Sequence, residues 1–165
     1  MMKRLSRSRA LVIPLGARPV SRARVRGDPA HAELRGVVNF YAERAGTLVL
    51  AELWGLPFDP APCAANICAI HIHEGGSCGG GGAPFSGALG HYNPGGCAHP
   101  AHAGDMPPLF SSRGYAFSAF YTERFRAADV VGRTVIVHER RDDFTSQPAG
   151  DAGGRVGCGE IERAR

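Results

Sequence analysis

Apolar positions in this chain come in short runs broken by turn-forming residues. Val37–Tyr41 and Thr47–Trp54 flank an Arg44-Ala45-Gly46 turn, and Ile67–His73, Tyr115–Tyr121, Thr134–His138 and Arg155–Ile161 follow at intervals. Runs of this length, rich in β-branched and aromatic residues and bounded by Gly and Pro, predict strands. With 23 glycines and 12 prolines, no helical period longer than about a dozen residues survives. Glu123–Val130 is read as a single helical turn. Many short strands between Gly-rich turns predict an antiparallel sandwich or barrel.

Composition narrows this picture. A chain of 165 residues, 44% hydrophobic, makes one ordinary domain with enough apolar residues for a core. No stretch approaches the roughly 18 apolar residues that span a bilayer. The net charge of +4 would invite a nucleic-acid partner, yet the basic residues crowd the N-terminal part (Lys3, Arg4, Arg7, Arg9, Arg18, Arg22, Arg24, Arg26) without interleaved aromatics. Nucleic acid is therefore not expected. The apolar run Ala10–Ala17 is short, contains Pro14, and is followed by more arginines instead of a small-residue cleavage site, which makes a poor signal peptide. We read residues 1–18 as a basic extension and 19–165 as the domain. A cytoplasmic location is expected, with export as the alternative.

The histidines carry the chemistry. In His71-Ile72-His73 the two-residue period of a strand turns both imidazoles to one face, either as a chelate or as a solvated pair. The segment His91–Asp105 is too rich in Gly and Pro for regular structure, yet it holds His91, His99, His102 and Asp105. A tetrahedral zinc site would fix such a loop; a flexible His-rich loop is the bland alternative. His138 closes the apolar run Thr134–His138. His31 has no obvious partner and is read as solvated. In this order the histidines read as two metal sites sharing one ligand.

These residues sit in motifs that resemble the bacterial copper/zinc superoxide dismutases. The resemblance runs from about Pro19 to Ile161, through Arg35–Tyr41, Glu52–Pro57, His71-Ile72-His73-Glu74-Gly75, His91-Tyr92-Asn93-Pro94, His99–Asp105, Gly132–His138 and Asp151–Gly159. It implies an all-β, antiparallel Greek-key β-sandwich or barrel of immunoglobulin-like form with long metal-binding loops. It further implies copper held by His71, His73, His91 and His138, and zinc held by His91, His99, His102 and Asp105. His91 would then bridge the two. One copper would cycle between Cu(II) and Cu(I) and one zinc would be structural, converting two superoxide radicals into O2 and H2O2. His91 would supply a proton, and Arg155 would attract and position the anion.

Asp142 matches the family's aspartate that accepts hydrogen bonds from one histidine of each set, with Asp143 as the second candidate. By the same resemblance Cys78 pairs with Cys158, and Cys63, Cys68 and Cys97 lie outside the pattern. Cys97 is expected as a free buried thiol, with an adventitious metal ligand as the other reading. Bacterial members are commonly exported and a disulfide favours an oxidising compartment, which supports the alternative location. A homodimer is possible. Gly79–Gly82 and Pro84–Leu89 are read as solvated loop. A zinc hydrolase would need an open zinc position, which four protein ligands deny. A non-catalytic zinc- or copper-binding protein of the same fold is the main rival, while an odd cysteine count opposes a disulfide-stapled matrix module.

Overall fold

The computed structural model describes residues 17–165; the basic extension lies outside them except for its last two residues. Among the described residues the regular structure is strand apart from two short 3-10 turns: β1 (Ser21–Gly27), β2 (Arg35–Glu43), β3 (Gly46–Trp54), β4 (Ile67–Cys68), β5 (Ile70–His73), β6 (Leu109–Phe110), β7 (Ala116–Thr122), β8 (Thr134–His138) and β9 (Arg155–Arg163). Seven strands form one antiparallel sheet in the order β5-β8-β9-β1-β2-β3-β7, and β4 pairs with β6. The sheet curls on itself. Its inner side chains, from Val25 on β1 and Phe40 on β2 to Ile72 on β5 and Val135 on β8, meet in one buried cluster, as the right-handed twist of the strands allows.

Alternation explains each strand. In the β2–β3 hairpin, Arg35 faces Trp54 at one end and Glu43 faces Gly46 at the other. Val38, Phe40, Val49 and Ala51 fill the interior. Each expected run lies in strand: Thr134–His138 keeps its bounds, Tyr115–Tyr121 moves on by one residue, and Val37–Tyr41, Thr47–Trp54 and Arg155–Ile161 extend. The basic stretch also hides a strand: β1 alternates Ser21, Ala23 and Val25 inward with Arg22, Arg24 and Arg26 outward. Those three arginines are the solvent face of the sheet's central strand, which charge counting alone conceals.

Three further expectations need correction. Ile67–His73 is two strands, because Ala69 leaves the ladder: its N–H donates to the Arg140 carbonyl and its carbonyl accepts from His138 N–H. Glu123–Val130 forms successive turns and no helix, with Arg126 N–H held by the Asp129 carboxylate. His31 is half-buried in a short 3-10 turn, its Nδ1 2.7 Å from Asp28 Oδ1.

Candidate metal centre

β5 turns Ile70 and Ile72 into the core, so the strand period sends His71 and His73 to the outer side of the barrel. There two long loops cover them. The first returns along the free edge of β5: Tyr92 N–H donates to the Ile72 carbonyl, and Ile72 N–H donates to Gly104. This pairing sets His91 beside His73 and Asp105 beside His71. His138 arrives from β8 at an irregularity in the β8–β9 ladder. All six histidines are at most 8% exposed. A Gly- and Pro-rich segment is thus given its shape by a sheet edge formed far away in sequence.

Two clusters result, and His91 belongs to both: His71, His73, His91 and His138, and then His91, His99, His102 and Asp105. In the second, His91 Nδ1 lies 2.8 Å and His102 Nδ1 3.4 Å from Asp105 Oδ1, and His99 Nδ1 lies 3.1 Å from Asp105 Oδ2. His102 Nδ1 approaches His91 Nδ1 at 3.3 Å. Four donors at bond lengths near 2.0 Å stand about 3.3 Å apart at the corners of a tetrahedron. In the first cluster His73 Nε2 and His138 Nε2 approach to 3.4 Å.

The outer ring nitrogens are tied to protein acceptors. His73 Nδ1–H donates to the Leu89 carbonyl at 2.9 Å, and His138 Nδ1–H to Gly153 at 3.4 Å. Asp142 accepts from His71 Nε2 and His99 Nε2, both at 2.9 Å. These partners leave the other nitrogen of each ring as a lone pair aimed inward. Three buried nitrogens, His71 Nδ1, His91 Nε2 and His99 Nδ1, then have no hydrogen-bond partner. Buried polar atoms seldom go unmatched, and these are the atoms a metal ion would engage. Imidazole and carboxylate donors fit copper and zinc.

Electrostatics points the same way. Burial drives His73 down to about 2 and His138 to about 3, so both rings are neutral ligand donors at physiological pH. Burial alone would raise the Asp142 carboxyl; the hydrogen bonds from His71, Phe144 and His99 outweigh it and hold the group near 2. The same contest leaves Asp105 below its usual range, through the His91 hydrogen bond and the neighbouring imidazoles. Asp143 instead caps its own turn, accepting from Thr145 N–H and from Ser146.

Arg155, at the start of β9, donates from its guanidinium to the carbonyls of Phe85 and Leu89. Leu89 also accepts from His73, so one carbonyl aligns both residues. This overturns the reading of Pro84–Leu89 as mere solvated loop. Ala88 there is fully buried and packs with Ile136 and Cys158, while Phe85 and Leu89 hold positive φ of 56° and 60°. Gly79–Gly82 is exposed, as expected. The Cys78–Cys158 disulfide fastens this loop to β9. Cys97 is exposed and not buried: the Asn93 side chain binds both its N–H and its carbonyl, forming a turn at the loop surface. Sequence reasoning missed the Leu89 carbonyl altogether, since a backbone acceptor leaves no trace in residue type.

Comparison with known proteins gives the family. The chain is similar to superoxide dismutase [Cu-Zn] 2 of Aquifex aeolicus, 36% identical over 156 residues, covering 80% of this chain and 85% of the relative. It is also similar to superoxide dismutase [Cu-Zn] of Deinococcus radiodurans, 30% identical over 149 residues, with 79% and 78% covered. The solved Cu/Zn superoxide dismutase from Brucella abortus shares the fold at a TM-score of 0.69 and 23% identity, over 86% of this chain and 99% of that one. Residues 34–161 match the model of the copper/zinc superoxide dismutases, and the chain belongs to that family.

Proposed function

We propose that this chain dismutates superoxide at a binuclear centre in which His71, His73, His91 and His138 hold copper and His91, His99, His102 and Asp105 hold zinc. The carrying observation is His91, whose Nδ1 faces one donor set and whose buried Nε2, without a hydrogen-bond partner, faces the other. When bound, copper supplies one-electron exchange with superoxide and zinc supplies a fixed charge on the shared ring. The protein's own groups do the rest. His91 is the one ring with both nitrogens turned to the centre, so it is the group that holds and releases a proton at Nε2. Arg155, fixed by two carbonyls, presents its remaining N–H donors to a small anion. Asp142 keeps His71 and His99 in the required tautomer and orientation.

The test joins spectroscopy to activity. Protein loaded with both metals should show the electron paramagnetic resonance spectrum of Cu(II) in imidazole ligation and should dismutate superoxide, and His91→Ala should bind both metals more weakly and lose most of the dismutation. Full activity in His91→Ala with one copper and one zinc retained would remove the shared-ligand reading.

The disulfide supports an exported location, since such bonds persist in oxidising compartments. Among the described residues no helix is long and apolar enough to cross a membrane. Trp54 on β3, Tyr115 just before β7 and Phe117 on β7 are exposed. That apolar surface supports a homodimer; sedimentation as a monomer at all concentrations would dismiss it.

A further inference from the structure

The segment His99-Pro100-Ala101-His102 supplies two of the four donors of the second cluster, yet it lies in no strand or helix. Its local support is two turns, with Ala101 N–H donating to the Ala98 carbonyl at 2.8 Å and His102 N–H to Asp105 Oδ2 at 3.0 Å. Pro100 and Ala101, between the two ligands, have no polar side chains that could tie the loop down. Two residues distant in sequence grip its backbone instead. Gln147 donates from Nε2 to the His99 carbonyl at 2.7 Å and accepts the His99 N–H at Oε1 at 3.0 Å. Arg124, two residues beyond β7, donates from Nη1 to the carbonyls of Pro100 at 3.1 Å and His102 at 3.2 Å. Neither residue is a donor in either cluster.

Chemistry favours these residue types. A primary amide is the side chain that can donate to one residue's carbonyl and accept its N–H at once, as a neighbouring strand would. A charged guanidinium N–H makes stronger bonds to carbonyls than a neutral donor does. Gln147 also belongs to a second structure: with His138, Ser146, Pro148, Asp151 and Gly153 it lines a cavity of about 410 Å³ against the first cluster. It therefore joins the loop bearing His99 to the wall of the cleft beside His138.

We infer that Gln147 and Arg124 are positioning residues of the zinc half of the centre, holding the His99–His102 backbone in ligating shape, and that Gln147 ties the order of that loop to the cleft wall. The inference rests on the assignment of His99 and His102 as zinc ligands. Both residues act by fixing the ligand backbone before an ion arrives, so their loss changes zinc retention first and copper retention little.

The experiment uses full-length protein loaded with both metals, in five forms: wild type, Gln147→Met, Arg124→Met, Arg124→Lys and His99→Ala. Methionine matches glutamine in length, keeps the apolar stem of arginine, and removes the hydrogen bonds of both. Zinc transfer to a chromogenic chelator, retained copper, and amide hydrogen exchange are measured for each. Expected is a zinc affinity roughly 10-fold lower in both methionine variants, the scale set by loss of groups that orient ligands. Copper should be unchanged and Arg124→Lys intermediate. Gln147→Met should also speed exchange in residues 146–153, which Arg124→Met leaves as in wild type. If His99→Ala keeps zinc as wild type does, the ligand assignment itself falls. If His99→Ala loses zinc while both methionine variants retain it, the positioning role alone is overturned. Equal loss of both metals in the methionine variants, in step with a lower melting temperature, would mean general destabilisation and also overturns it.

Discussion

At the scale of the residue, Arg155 shows how little of a functional side chain's behaviour comes from its type. Its guanidinium is partly desolvated, which lowers its pKa, but an arginine stays protonated throughout the physiological range. Two carbonyls hold it, and in the proposed function its remaining N–H donors meet superoxide, a monoanion. Arg155→Ala should therefore slow the encounter-limited rate, and Arg155→Glu should slow it further because repulsion replaces lost attraction. Both variants should keep copper and zinc, since Arg155 is not among the clustered donors. Higher ionic strength should narrow the differences, as the screening length falls to about 8 Å near physiological salt. Pulse radiolysis of the three proteins at two salt concentrations is the measurement; three equal rates would place Arg155 outside the anion's path.

At the scale of the element, the loop after β8 is wound so tightly around Asp142 that one of its glycines has no room for a side chain. Gly150 has φ of +69°, and a Cβ there would run into Asp142 Oδ1 and come within 2.8 Å of His99 Nε2. Either feature alone disfavours a side chain. Gly150→Ala should therefore resemble Asp142→Asn: both displace the Asp142–His99 hydrogen bond, and zinc affinity should fall roughly 10- to 100-fold, with every ligand still present. Chelator competition on the two variants is the check. Wild-type zinc retention in Gly150→Ala would show that the loop yields at no cost to His99.

At the scale of the whole molecule, the centre and the fold depend on each other through protons and a covalent link. In metal-free protein, burial holds His73 near 2 and His138 near 3, whereas the unfolded chain protonates each below about pH 6.5. The unfolded state then binds more protons, so stability falls as pH drops from about 6.5 toward 3. The slope is about 1.4 kcal/mol per pH unit for each histidine. Metal-free protein should melt at a lower temperature at pH 5 than at pH 7, and calorimetry at the two values tests this. A higher midpoint at pH 5 would contradict neutral, desolvated rings. The disulfide acts from the other side. Joining residues 80 apart, it constrains the unfolded chain by ~4 kcal/mol in the chain-entropy view, and it secures the loop that aligns Arg155 and His73.

The sequence by itself determined the strand runs, the donor set and the family motifs, because these are written in residue type and local period. Thr134–His138 could be read to the residue, and the one-face geometry of His71 and His73 follows from the pleat alone. Asp142 and the Cys78–Cys158 pairing were legible through resemblance to a family, not through spacing. The tertiary structure decided the rest. Arg22, Arg24 and Arg26 look like a basic tail until Ala23 and Val25 find a core on the opposite face. His31 finds Asp28, and Cys97 comes to the surface, because local turns place them there. The acceptors at Leu89, Phe85 and Gly153 and the grip of Gln147 on the His99 backbone join segments 15 to 70 residues apart. Such contacts use backbone groups common to every residue, so they exist only once the sheet has curled and brought the loops over its outer face.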